Sequence, residues 1–185
     1  MNRAVLRFEA VLLYLDGLFR EASATLDVSR KDLILSYIVM KLHDQWNFRS
    51  RQIIQQSYGK SQAKMIEILR MHWSPRKKMD KGWEPDWHIP GIAIRAGRLL
   101  NIPNLASVQY ALGSVTYIDD IRWTRNAIVH NIPISYGKFR SMSLSKYYIR
   151  DIAPSLFPLE INPASGNTIY QDWCDELRNA LHNAR

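Results

Sequence analysis

Apolar residues recur at helical spacing along most of the chain, and this periodicity is the feature that most constrains its fold. The first stripe comprises Leu6, Val11, Leu12, Leu15, Leu18 and Phe19. A second stripe comprises Leu35, Ile38, Val39, Leu42, Trp46 and Ile53. No convincing alternation of strand and helix patterns accompanies them, which disfavours a doubly wound α/β fold. We therefore predict an all-α protein, a bundle of about five helices.

Local signals predict where several helices begin and end. Ser29 and Asp32 resemble a capping box, with Asp in place of the usual Glu or Gln, and would begin the second helix. Gly59 would end that helix, and Ser61 would cap a third. A later helix is expected from about residue 115 to 130, because Asn131 tolerates the left-handed conformation that ends helices.

Two segments lack the helical period. The composition of residues 74–82 predicts a charged loop marked by Pro and Gly, flanked or followed by Trp73, Trp83 and Trp87. Residues 134–166 are rich in Tyr and Pro and predict a loop, with a short hairpin as the alternative. A closing helix is expected over 168–182. The prediction is thus one domain over 1–185, with a helical core of about 1–135 and a mostly irregular C-terminal extension, 136–185, that ends in a helix.

Charge and cysteine content restrict the expected partners and compartment. The net charge is +8 and the isoelectric point is about 9.7, which favours a polyanionic partner, although many basic proteins bind no nucleic acid. Cys174 is the single cysteine and cannot form an internal disulfide, which favours a reducing, cytoplasmic setting. The apolar N-terminal region is broken by charges, so it predicts an amphipathic helix rather than a signal peptide or a membrane span.

The segment Arg125-Asn126-Ala127-Ile128-Val129-His130 carries the strongest chemical signal. A histidine can move a proton near neutral pH, and an arginine can hold a phosphate through two parallel donors. Arg125 also falls on an apolar stripe, where a charge is costly unless it is paired, reaches water or faces a cleft. The alternatives to a cleft are an arginine that reaches water at the edge of the stripe and a buried ion pair with Asp119 or Asp120, and this helix alone does not decide between function and these alternatives.

Other cations are candidates for contacts with a nucleic-acid backbone. The predicted RNA-binding residues are Arg122, Arg49, Arg51, Arg76, Lys77 and Lys78. The alternative is a solvated basic face, with the tryptophans near the basic loop folded onto the core. No zinc-ligand spacing, P-loop, GxGxxG or GxSxG motif is present, and the sequence predicts neither a metal nor a cofactor.

An all-α chain with Asp-Asp-Ile-Arg-Trp-Thr-Arg-Asn-Ala-Ile-Val-His-Asn late in a helix resembles the HEPN superfamily. These helical-bundle domains are defined by Arg-x4–6-His, often with a polar residue directly after the arginine, and Arg125, Asn126 and His130 match all three elements. The Trp46…Phe48-Arg49 cluster is similar to some members, and the resemblance covers roughly residues 1–135.

The resemblance implies a metal-independent endoribonuclease that acts as a homodimer with its site at the dimer cleft. We predict that it cleaves single-stranded RNA and leaves 2′,3′-cyclic phosphate ends, with Arg125, Asn126 and His130 as the catalytic residues. The resemblance also implies a bacterial toxin or anti-phage effector, with an antitoxin protein as a possible partner. One branch carries a tyrosine two residues after the histidine, where this chain has Ile132. Control by modification of that tyrosine is therefore not expected.

Helix geometry gives a separate reason to expect a dimer. Five helical residues turn the chain by about 500°, so Arg125 and His130 would project about 140° apart. The two side chains of a single copy would then not easily reach one phosphate, whereas a second copy across a two-fold axis would complete the site. Two alternatives to an enzyme stay open: a non-catalytic module that binds RNA or a partner protein, and a purely structural helical domain.

Overall fold

Helices account for the regular structure throughout the described residues. The computed structural model describes residues 3–74, 80 and 82–184, with side chains from residue 6 onward. In chain order the elements are α1 (Arg3–Ala24), α2 (Val28–Tyr58), α3 (Gln62–His72), α4 (Pro90–Leu99), α5 (Leu105–Gly113), α6 (Ile118–His130), α7 (Pro133–Tyr147), a 3-10 helix (Phe157–Leu159) and α8 (Ile169–Asn183). One isolated bridge, Ile161 to Thr168, is the extent of β pairing in this part of the chain. The all-α prediction is confirmed, with more helices than the five expected.

Three of the predicted helix ends are confirmed. Ser61 caps α3 by accepting a hydrogen bond on its Oγ from the Lys64 backbone N–H at 3.3 Å. Gly59 follows the last residue of α2 with φ +71°, a left-handed value that costs glycine little. Asn131 ends α6 with φ 42° and ψ 37°, the left-handed cap that its short amide side chain tolerates.

The predicted capping box at the start of α2 is wrong. Asp27 caps the helix instead, because its Oδ1 accepts a hydrogen bond from the Arg30 backbone N–H at 3.0 Å. Asp32 does not accept the hydrogen bond from the Ser29 backbone N–H that a capping box requires. Its Oδ1 instead accepts a hydrogen bond from the hydroxyl of Ser155, far along the chain.

The chain divides into two compact units. The first comprises Met1–Gln45 and Tyr117–Arg178, and the second comprises Trp46–Thr116 and Asn179–Arg185. In the first unit Phe157 lies within an aromatic cluster, with its ring centroid 5.3 Å from Phe139, 5.2 Å from Tyr147 and 6.0 Å from Trp173. These four rings are buried and connect α7, the 3-10 helix and α8.

The second unit has its own buried core. It includes Trp46, Ile54, Met65, Leu69, Trp87, Ala93, Ala96, Val108, Ala111 and Leu112. Trp46 is completely buried, and its indole N–H donates to the backbone carbonyl of His88 at 3.0 Å. Gly97 allows Ile102 and Leu105 to approach α4 closely, since a Cβ there would lie 2.9 and 3.3 Å from their Cδ1 atoms.

The prediction of a loop or hairpin over 134–166 is wrong for its first part, which forms α7. Pro133 occupies the first turn of α7, where its missing N–H costs nothing. Phe139, Met142 and Tyr147 form the buried face of this helix at i, i+3 and i+8. The extension 136–185 therefore carries two α-helices, and its irregular part is confined to the segment between them.

The closing helix is confirmed as α8, and a capping box begins it. Thr168 accepts a hydrogen bond on Oγ1 from the Gln171 N–H at 3.3 Å, and Gln171 accepts one on Oε1 from the Thr168 N–H at 2.9 Å. None of the helices in the described part of the chain combines the length and the hydropathy that a membrane span requires.

Candidate active site at the tip of a helical hairpin

Helices α6 and α7 form a tight antiparallel hairpin. Only Asn131 and Ile132 separate them, and the left-handed conformation of Asn131 turns the chain back. Asp120 in the first turn of α6 contacts the last turn of α7, with its Oδ2 2.5 Å from Lys146 Nζ and 2.7 Å from the Tyr147 hydroxyl. These bonds hold the two helices together at the end of the hairpin opposite the turn.

The carboxyl group of Asp120 is buried, with 4% of its side chain exposed. Burial raises its pKa above the ordinary value, while the hydrogen bonds from Lys146 and Tyr147 stabilise the carboxylate and oppose that rise. Burial also raises the pKa of the Tyr147 hydroxyl, as does the neighbouring Asp120 carboxylate. Tyr147 is therefore a permanent donor to Asp120 at physiological pH.

The three motif residues meet at the tip of this hairpin. Arg125 Nη1 donates a hydrogen bond to Asn126 Oδ1 at 3.0 Å and lies 3.2 Å from His130 Nε2. His130 is the last residue of α6 and is exposed, whereas Arg125 and Asn126 are half-buried. One nitrogen of the arginine thus connects the amide and the imidazole.

This contact corrects the geometric argument for a dimer. An ideal helix projects Arg125 and His130 about 140° apart, but that angle describes their Cβ directions. The arginine side chain is long enough to bring Nη1 within hydrogen-bonding distance of the imidazole in the same copy. The angular separation therefore gives no reason to require a second subunit.

The roles of the two groups in this contact depend on the tautomer of His130. A guanidinium is a donor only and does not lose its proton in proteins. For Arg125 to donate to His130 Nε2, that nitrogen must carry its lone pair, which places the proton of the neutral ring on Nδ1. An unprotonated Nε2 is the form that accepts a proton from an attacking hydroxyl.

Arg125 does not form the ion pair considered as the alternative in the sequence. Asp119 is instead paired with Arg122, Oδ1 to Nη2 2.8 Å, and Asp120 is paired with Lys146. Across the described ranges no carboxylate contacts Arg125, and its Nε and Nη2 atoms make no hydrogen bond there. These nitrogens and the positive charge are available to an anion.

Two further predicted RNA-binding cations make their contacts within the second unit. Arg49 and Arg51 belong to the second unit, and each places its guanidinium carbon near the Phe48 ring, at 5.2 and 5.7 Å from the centroid. Arg49 is 4% exposed and donates to Gln52 Oε1 at 2.7 Å, so its guanidinium is shielded from solvent. Arg51 is paired with Glu84 at 3.2 Å.

The three other predicted RNA-binding residues, Arg76, Lys77 and Lys78, lie outside the described residues. Of the nearby tryptophans, Trp87 is buried and donates from its indole N–H to Glu84 Oε2 at 3.2 Å. Trp87 therefore belongs to the core. Trp73 and Trp83 are half-buried with their ring centroids 5.1 Å apart, and Arg95 covers the Trp73 ring at 4.5 Å.

The structure adds four residues that are absent from the sequence-based set. A cavity of about 110 Å³ lies between the two helices of the hairpin. Its lining is Arg122, Trp123, Asn126, Ile134, Ser135 and Lys138. The additions are Trp123, Ile134, Ser135 and Lys138, and the last three lie in α7, where the sequence predicts a loop. The helical spacing of Phe139 and Met142 is the sequence signal that predicts α7. On that helix Ile134 and Lys138 are one turn apart and share a face.

Within the described residues, no group of three or more His, Cys, Asp or Glu side chains is arranged to hold a metal ion. Comparisons of the whole chain with family models, with curated proteins and with solved structures give no match.

Proposed function

We propose that this protein is a metal-independent endoribonuclease whose catalytic group lies at the tip of the α6–α7 hairpin. The observation that supports the proposal is the position of Arg125 Nη1, within hydrogen-bonding distance of both Asn126 Oδ1 and His130 Nε2. Arg125 is a half-buried cation without a carboxylate partner among the described residues, and His130 is an exposed proton acceptor. Phosphodiester transfer requires a cation and a proton acceptor side by side.

The reaction is a transesterification within the RNA. His130 Nε2 removes the proton from a ribose 2′-hydroxyl, and the 2′-oxygen forms a bond to the adjacent phosphorus. The bond from phosphorus to the 5′-oxygen breaks, and that oxygen receives a proton from an imidazolium, either the same ring or the His130 of a second copy. The products carry a 2′,3′-cyclic phosphate and a 5′-hydroxyl.

Arg125 stabilises the extra negative charge that develops on the phosphorane oxygens. When RNA binds, a phosphate oxygen replaces the imidazole as an acceptor of Nη1, and the lone pair of His130 Nε2 becomes free for the 2′-hydroxyl. Asn126 acts as a positioning residue, because its Oδ1 holds Nη1 on the side that faces His130.

We also propose a homodimer on different grounds from the angular argument. Val129 and Ile132 flank His130 in the chain and are 44% and 48% exposed. Apolar side chains beside a functional group favour a protein contact there, and the superfamily resemblance implies a second copy. The same surface favours the non-catalytic alternative, a module that binds RNA or a partner protein.

A single substitution with a matched control tests the activity. Purified protein is incubated with mixed single-stranded RNA in EDTA, and the wild type is compared with His130→Ala and with His72→Ala, an exposed histidine on α3. We expect His130→Ala to lose about 10²–10⁴-fold in rate and His72→Ala to retain the wild-type rate. Equal cleavage by all three proteins would exclude the site, and an RNA gel shift without cleavage would favour the binding module.

The resemblance further suggests a bacterial toxin or defence effector acting in the cytoplasm, held inactive by an antitoxin protein. Induction of the wild type alone should then stop growth, and His130→Ala should restore it at the same protein level. Unchanged growth with well-expressed wild type would contradict a free-standing toxin.

A further inference from the structure

The small cavity between α6 and α7 lies next to the candidate catalytic group and shares one residue with it. Asn126 belongs to both, since its Oδ1 accepts from Arg125 while the residue also lines the cavity. Arg122 lies one turn before Asn126 on α6, and Lys138 lies one turn after Ile134 on α7. The two helices therefore present their polar side chains to one space from opposite sides.

The lining of this cavity is positively charged. It includes two cations, Arg122 and Lys138, and no carboxylate. Lys138 is exposed and forms no ion pair with any residue that the structure describes. The charge of Arg122 is partly compensated, because its Nη2 is paired with Asp119. The charge of Lys138 is not compensated by any described residue.

Hydrogen-bonding capacity in the cavity is also incompletely used. Arg122 Nε is buried and has no hydrogen-bond partner among the described residues. This nitrogen is closed to solvent, so Arg122 would contact a ligand through the outer part of its guanidinium group. Ser135 contributes a hydroxyl, and Asn126 contributes an amide NH₂ whose neighbouring oxygen is already engaged by Arg125.

Size narrows the class of ligand. A space of about 110 Å³ accommodates several water molecules, which is comparable with one tetrahedral oxyanion and too small for a nucleoside. Trp123 forms one wall and is half-buried, with the Arg122 guanidinium 6.0 Å from its ring centroid. Its remaining surface is available for a base to stack against.

We propose that this cavity binds a phosphate of the RNA strand neighbouring the one that is cleaved, with Lys138 and Arg122 as its charged ligands and Ser135 and Asn126 as neutral donors. The inference rests on the proposed function, because it takes the Arg125–His130 pair as the place of cleavage. Since Asn126 contributes to both places, the two phosphates they bind are close along the strand. The cavity thereby sets the register of the RNA at the catalytic group.

The probe is a fluorescent single-stranded RNA with 2′-O-methyl sugars throughout, which binds without reacting because the attacking hydroxyl is blocked. Its dissociation constant is measured by anisotropy over a series of salt concentrations. The variants are Lys138→Gln and Arg122→Gln. The matched controls are Lys31→Gln and Arg7→Gln, which remove the same charges from residues of the first unit that do not line the cavity.

A lysine that binds a phosphate contributes about 0.7 to the slope of log affinity against log salt for a single strand. We expect Lys138→Gln to reduce the magnitude of this slope by that amount and to weaken binding equally for RNAs of different sequence. The slope of Lys31→Gln should equal that of the wild type. Next, a neutral methylphosphonate is placed at one linkage at a time. One linkage should weaken wild-type binding most, and its effect should shrink in Lys138→Gln because the two changes remove the same contact.

Slopes of Lys138→Gln and Arg122→Gln equal to those of their controls would overturn the proposal, even for a protein that cleaves unmodified RNA. Arg122→Gln alone is open to misfolding, so the exposed Lys138→Gln carries the decision. If unmodified RNA is not cleaved but the slope and the methylphosphonate effect are as expected, the phosphate cavity stands and the nuclease proposal fails.

Discussion

Arg125 Nη1 is the atom on which the candidate site depends. It lies within hydrogen-bonding distance of both Asn126 Oδ1 and His130 Nε2, while the other guanidinium nitrogens make no bond to a described residue. A residue held in this way contributes little to folding, because removing it leaves no buried carboxylate unpaired. Its effect should therefore be on catalysis.

Replacement of Arg125 should separate activity from stability. We expect Arg125→Ala to reduce the RNA cleavage rate by about 10²–10³-fold, since it removes a donor to the developing charge. The unfolding free energy in urea should change by less than about 1 kcal/mol. Arg7→Ala, an exposed arginine on α1, serves as the control for both measurements. A misfolded Arg125→Ala protein would indicate a structural role instead.

At the scale of elements, the α6–α7 hairpin depends on the bonds that Asp120 makes with Lys146 and Tyr147. Asp120→Ala should destabilise the protein by about 1–3 kcal/mol, because it leaves the buried Tyr147 hydroxyl without its acceptor, whereas Lys146 is 38% exposed and can be solvated. Asp119→Ala is the matched control, since the Asp119 carboxylate is exposed and its ion pair with the half-buried Arg122 is worth about 1 kcal/mol or less. Equal losses in urea unfolding would contradict this account of the hairpin.

A second element-scale prediction concerns the irregular segment before α8. Asp172 accepts hydrogen bonds from Asn162 Nδ2 at 2.5 Å, Ser165 Oγ at 2.6 Å and Asn167 Nδ2 at 3.0 Å. Burial by itself raises the pKa of Asp172, but these three bonds together outweigh it, and the pKa is lower than that of an ordinary aspartate.

The lowered pKa gives the stability of the protein a dependence on acid. A carboxylate whose folded pKa lies below its unfolded value, near 3.9, stabilises the fold above that pH and loses the effect as the pH falls through the folded pKa. We expect Asp172→Asn to cost about 1.5–3 kcal/mol at pH 7, with the difference from wild type shrinking below about pH 4. Urea unfolding at several pH values, with Asp175→Asn as the exposed control, measures it. A difference that is constant with pH would contradict this assignment.

The helices with strong apolar stripes are predictable from the sequence, whereas α7, in which the stripe is weak, is not. In α7 the buried positions Phe139, Met142 and Tyr147 follow a helical period, but the serines between them and Gly137 before them hide it. The packing of these three side chains against the rest of the first unit outweighs the low helix propensity of the intervening residues.

The candidate site shows the same division. The identity of Arg125, Asn126 and His130 was readable from their types and spacing, whereas their mutual contact was not. A helical projection describes Cβ directions and omits the reach of a long side chain. Arg49 illustrates the opposite error, because its spacing suggested a cleft and the structure buries it. Long side chains are placed by tertiary packing that periodicity does not encode.

At the scale of the whole molecule, the proposal of a homodimer rests on the apolar residues beside His130. We expect Ile132→Glu to convert the protein to a monomer at micromolar concentration by light scattering, because a buried carboxylate in the contact would be costly. Leu33→Glu, at an exposed position on α2, should leave the oligomeric state unchanged. A wild type that is monomeric and fully active at that concentration would contradict the dimer.

The most direct test of the central claim is the chemistry of the cut ends. Wild-type protein is incubated in EDTA with one defined single-stranded RNA, and the fragments are weighed by mass spectrometry. The account predicts a 5′-hydroxyl on one fragment and a 2′,3′-cyclic phosphate on the other, lighter by one water than the linear phosphate, with no cut where the preceding sugar is 2′-deoxy. A cut that requires added magnesium, or that leaves a 5′-phosphate, would contradict it.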